Sequence, residues 1–106
     1  MKRSEQLYSK ALELLPGGVS RNTVLRKPNP DYANFGKGCQ LTDIEGVTRL
    51  DFSNNMASLL HGHACPAIVQ AVTEQLQRGS AFTMATEVEV QYADYLIQRC
   101  PSFEKI

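Results

Sequence analysis

The chain has 106 residues, 42% hydrophobic and 21% charged, a globular and not a disordered composition. Eleven Lys and Arg balance eleven Asp and Glu, so no general attraction to nucleic acid or to an anionic membrane is implied. No run of about 18 apolar residues offers a membrane span, and the basic start "MKRSEQLYSK" lacks the apolar stretch of a secretory signal.

The length allows at most one domain, residues 1–106, and burial of about 65% of the unfolded surface around one small core. The three cysteines, Cys39, Cys65 and Cys100, form no CxxC pair and are odd in number. They argue against a disulfide framework and for a reducing, cytoplasmic compartment, and are expected inside as small hydrophobes.

Ser4 is the expected N-cap of a first helix, in which Leu7, Ala11, Leu14 and Leu15 draw one apolar stripe. Pro16 and the two glycines of "LLPGGVSR" end it. Residues 16 to 31 hold three prolines, two glycines and two asparagines, the composition of a loop. Cys39, Leu41 and Asp43 then alternate with Gln40 and Thr42, the period of a strand. Gly46 can take the positive φ of a tight turn, and "VTRLDF" continues as the next strand, giving an antiparallel meander of two or three strands.

After the polar "SNNMASLLHGHACP", Pro66 suits the first turn of a second helix. Ile68, Ala71, Val72 and Leu76 make its stripe, and Gly79 stops it. Thr86 and Glu89 form a capping box for a third helix, with Val88, Tyr92, Tyr95 and Leu96 on its apolar face and Cys100–Pro101 at its end. "FEKI" reads as the opening of a strand, which predicts that the sequence is a piece of something longer. The fold class expected is α+β.

Three groups of residues carry candidate chemistry. His61, His63 and Cys65 lie two apart, so on an extended strand they would share one face as a metal site, whereas bends at Gly62 and Pro66 would separate them. Asp43 and Asp51 could do acid/base work as a pair, or simply accept turn and strand-end hydrogen bonds. "PGGVSR" is not a nucleotide-binding fingerprint. It does place Ser20 and Arg21 after glycines that allow close approach, and a planar guanidinium matches two carboxylate oxygens. The alternative there is a solvated loop charge. Lys37, in "FGKGC", is a turn lysine.

In order, "LPGGVSR", "GKGCQLTDIEGVTRLDF", "GHACPAIVQAV" and "FTMATEVEVQYADYL" resemble the N-terminal part of class-III pyridoxal-phosphate-dependent aminotransferases, nearest the branch of glutamate-1-semialdehyde 2,1-aminomutases and β-amino-acid aminotransferases. The resemblance implies part of a fold-type-I pyridoxal-phosphate enzyme, usually a homodimer acting on an amino acid or amino ketone. It implies that Arg21, with Ser20 beside it, binds the substrate carboxylate, with Arg26 the alternative in the aminomutase branch, and that Met56 belongs to a stretch, "SNNMASLL", that lines the pocket. Met56 stands where the family often has an aromatic, Cys65 where it has a histidine and Ala85 where it has a proline, departures that favour an aminotransferase. The family's phosphate loop, pyridine-pairing aspartate and imine-forming lysine come later than the segment matched. The chain alone is therefore expected to be inactive and to bind no pyridoxal phosphate, contributing substrate anchoring. The readings from other classes are a stand-alone oligomerisation module without catalysis, and a metal-binding protein using His61, His63 and Cys65.

Overall fold

The computed structural model describes residues 1–106, which divide into two compact units, Met1–Val69 and Gln70–Ile106. The first unit holds helix α1 (Arg3–Leu14), a sheet of β1 (Ala33–Lys37), β2 (Gln40–Asp43) and β3 (Thr48–Leu50), and the one-turn element α2 (Asn54–Ala57). Helix α3 (Pro66–Arg78) begins in this unit and continues in the second, where α4 (Glu87–Arg99) follows. The α+β class is as expected.

Helix α1 starts two residues earlier than a Ser4 cap requires. The Lys2 N–H donates to the Glu5 carboxylate (2.9 Å), a reach back from the third helical position that serves the helix start. Ser4 is instead inside the first turn and buried, and its N–H donates to Glu45 Oε1 (2.9 Å) in the β2–β3 turn. At the other end the Leu15 N–H bonds Ala11 O, and Pro16–Gly18 forms a 3-10 turn, with φ of 69° at Gly17 and 72° at Gly18. A Cβ on Gly18 would stand 2.6 Å from Tyr8 Cε2, so the backbone lies directly on the α1 side chains. The helix stop read from the proline and glycines is as the sequence implied.

The sheet is a three-stranded antiparallel meander in the order β1-β2-β3. Gly46 turns β2 into β3 at φ 85°. Asp43, buried at the end of β2, accepts from the N–H groups of Glu45 (3.0 Å) and Val47 (2.9 Å) and from the Arg49 guanidinium. The Thr42 and Thr48 hydroxyls meet across the register at 2.9 Å. Asp43 is thus a turn-organising acceptor, held below the usual carboxylate range first by Arg49 and then by the Val47 N–H.

In the second unit the helix limits follow the sequence. Pro66 opens α3 and Gly79, at φ 116°, follows its end. The Thr86 N–H donates to Glu89 Oε2 (2.9 Å), the capping-box contact at the start of α4. Two expectations fail. Residues 103–106 form no strand: a strand needs a neighbour for its backbone groups, and the sheet pairs β1, β2 and β3 alone. The small apolar core is also absent: no hydrophobic side chain is buried, and Val72, Leu76, Val88 and Tyr92 are all exposed. An apolar stripe is buried only where another surface faces it, and no element of this chain covers these faces. For the same reason Cys39 and Cys100 are exposed, not packed inside.

Candidate functional site

The loop after α1 and the segment after β3 meet in the first unit around a cleft of ≈240 Å³, lined by Arg21, Thr23, Val24, Arg26, Asp31, Ser53, Asn55 and Met56. Of the residues singled out from sequence, Arg21, Arg26 and Met56 are in this lining, whereas Ser20 is exposed outside it. Two guanidiniums against one carboxylate leave the lining with excess positive charge. Arg26 is turned back on its own loop, donating to the carbonyls of Thr23 (3.1 Å) and Leu25 (2.9 Å). Arg21 makes no ion pair: its Nη1 and Nη2 share one neutral acceptor, Asn55 Oδ1, at 3.4 and 3.3 Å.

The segment that brings Asn55 there is backbone of an uncommon kind. Asn54, Asn55, Met56 and Ala57 have φ of 47°, 48°, 59° and 62°, so α2 is a left-handed turn of four consecutive non-glycine residues. Asn tolerates this region best, and each other L-residue costs roughly 1–2 kcal/mol there. Several bonds hold the turn. Asp51 Oδ1 accepts from the N–H groups of Ser53 (3.1 Å) and Asn54 (2.9 Å). Asn55 Nδ2 donates to Ser58 Oγ (2.9 Å), whose hydroxyl donates to Asn55 O (2.8 Å). Sequence reasoning passed over Asn55; the pair Asn54–Asn55, the residue type most at ease at positive φ after glycine, was the signal available.

Asp51 has a second partner. His63 Nε2 donates to its Oδ2 at 2.7 Å, and with the Asn54 N–H this holds the Asp51 carboxyl below the usual range. The His63 backbone pairs with Gly38 in both directions (2.9 and 2.8 Å), so the imidazole is fixed against the β1–β2 turn. Gly36 leaves room for it: a Cβ there would be 2.5 Å from His63 Cγ. The metal arrangement required an extended segment, but Gly62 and Ala64 have φ of 73° and 50°. The bends keep His61, His63 and Cys65 from lining up, and no group of three ligating side chains comes together. Asp43 and Asp51 are held by different partners, Arg49 and His63.

No helix is long and apolar enough to cross a membrane.

Against known proteins, residues 27–106 match the family described as aminotransferase class-III. The glutamate-1-semialdehyde 2,1-aminomutase of Methanothermobacter thermautotrophicus is 38% identical over 104 residues, covering 98% of this chain and 25% of the relative. An omega-transaminase from Sphaerobacter thermophilus superposes with a TM-score of 0.92 at 45% identity, over 97% of this chain and 24% of that one. A transaminase solved with PLP bound gives 0.90 at 43%, over 98% and 25%. The β-phenylalanine aminotransferase of Variovorax paradoxus gives 0.89 at 28%, over 96% and 24%. The chain thus spans about a quarter of the length of the relatives it matches. With a family match over residues 27–106 and the fold shared along nearly its whole length, the chain belongs to the class-III aminotransferase family.

Proposed function

We propose that this chain supplies the carboxylate-anchoring part of a pyridoxal-phosphate-dependent aminotransferase, with Arg21 as the anchor. The observation that carries the reading is the state of Arg21: a guanidinium in a cleft, with no anionic partner and one neutral oxygen between its two Nη atoms. A carboxylate offers two charged acceptors to the same fork and forms shorter, stronger bonds. Arg26 is the lesser candidate because its donors already serve loop carbonyls. Met56 gives the cleft an apolar wall, and Ser20 does not line it. The substrate class is an amino acid or amino ketone, and aminotransfer is favoured over aminomutation by the residues at Met56, Cys65 and Ala85. A homodimer is the assembly expected, consistent with the apolar side chains left exposed on α3 and α4.

Pyridoxal phosphate supplies the electron sink of such chemistry when bound. The residues of the cleft do not fit a covalent hold on it, since its lining contains no lysine. The chain's part is therefore binding and orientation. Titration of β-alanine into the chain, followed through the arginine side-chain NMR signals, tests the reading. A saturable shift of the Arg21 signals is expected, together with shifts of the backbone amides of Thr23, Asn55 and Met56 that are lost in Arg21→Ala; unchanged binding by Arg21→Ala, read from those amides, would overturn it.

A further inference from the structure

The sequence gives Asn55 no role of its own, yet its amide oxygen is the one acceptor that Arg21 has. We propose that Asn55 is a positioning residue: it holds the Arg21 fork open toward the cleft in the free protein and yields it to an incoming carboxylate. This inference rests on the carboxylate reading of the cleft.

Three observations carry it. The contact is bifurcated, one oxygen between Nη1 and Nη2 at 3.4 and 3.3 Å, so the amide oxygen holds the place on the fork that a carboxylate would take. Those distances are long for N–H···O, where about 2.9–3.0 Å is usual, so the contact orients the guanidinium without saturating it. The acceptor is neutral, which leaves the charge of Arg21 available; an aspartate in its place would neutralise it. The amide itself is locked, because Nδ2 donates to Ser58 Oγ at 2.9 Å, and this settles which end of the side chain faces Arg21. The left-handed turn explains the backbone. With φ positive from Asn54 to Ala57, the chain reverses there and carries Asn55 to the cleft with Met56 beside it.

The test compares the wild-type chain with Asn55→Gly, Asn55→Asp and Arg21→Ala. Glycine keeps positive φ without strain while removing the amide, and aspartate keeps the acceptor but adds charge. In the free protein, the Arg21 Nη signals are expected apart from those of solvated arginines, and merged with them in Asn55→Gly while backbone amide dispersion is kept. β-Alanine affinity is expected to rise about three- to tenfold in Asn55→Gly, where no acceptor has to be displaced from the fork, the scale of one hydrogen bond. It should fall more than about tenfold in Asn55→Asp, where an ionised acceptor competes for the guanidinium. The same variants placed in a chimera, with residues 1–106 replacing the matching part of the Sphaerobacter thermophilus omega-transaminase, give an independent readout. There KM for β-alanine should fall in Asn55→Gly and rise in Asn55→Asp, with kcat and the constants for propylamine unmoved. If Arg21→Ala loses β-alanine binding while Asn55→Gly and Asn55→Asp behave as wild type, the positioning role is overturned and the carboxylate site stands. If Arg21→Ala itself binds as wild type, both are overturned.

Discussion

His63 Nε2 sits 2.7 Å from Asp51 Oδ2, and this contact joins the β1–β2 turn to the left-handed turn that carries Asn55. One oxygen of Asp51 binds the imidazole and the other binds the N–H groups of Ser53 and Asn54. The carboxylate is therefore the junction between sheet and site.

Because the folded protein holds the Asp51 carboxyl low, its ionised form stabilises the fold above the ordinary carboxylate value of about 3.9. That contribution is lost as pH falls below this value, through the depressed folded one. In Asp51→Asn, hydrogen-exchange protection of residues 53–63 at pH 7 is expected to drop about three- to tenfold. The gap to wild type should close as the pH is lowered below about 4. A gap that stays constant across that range would contradict the role given to the ionised carboxylate.

Gly17 and Gly18 separate backbone strain from steric contact. Both have positive φ, but a Cβ on Gly17 meets open space while one on Gly18 meets Tyr8 and Leu12. Gly17→Ala should cost about 1–2 kcal/mol from the backbone alone. Gly18→Ala should cost about 1–3 kcal/mol more, since the ring must move. Hydrogen-exchange protection of α1 in the two variants measures the difference, and equal values would show that Tyr8 yields freely.

Sequence legibility tracked how local each determinant was. The stop after Leu15, the turn at Gly46, the start at Pro66 and the Thr86–Glu89 contact are set by residues within a few positions of each other, and all four are found where the sequence put them. The Ser4 cap failed because its N–H is taken by Glu45, 41 residues away. The extended segment that would align His61, His63 and Cys65 is not formed, because Ala64 takes a positive φ that a residue of its type rarely adopts. The same limit hid Asn55: Arg21 is legible as an isolated cation, but its partner stands 34 residues on and reaches it through a left-handed turn. Burial was overestimated because periodicity marks which face of a helix is apolar, not whether anything covers it.

The uncovered faces of α3 and α4 lead to a prediction about the chain alone. Sedimentation should show concentration-dependent association, since exposed apolar patches promote it. A single defined oligomer with cooperative unfolding would instead favour the stand-alone module.

No lysine lies in the cleft, so borohydride reduction in the presence of pyridoxal phosphate should leave the isolated chain without stoichiometric labelling. Mass spectrometry would read this directly, and one fully labelled lysine would contradict the assignment of the chain to anchoring alone.

The most direct test of Arg21 as the carboxylate anchor uses the chimera with the Sphaerobacter thermophilus omega-transaminase, assayed with two donors that differ only in the carboxylate. The ratio of kcat/KM for β-alanine to that for propylamine should fall about 30-fold or more in Arg21→Ala, the scale of a lost charge-assisted pair. An unchanged ratio would contradict the account.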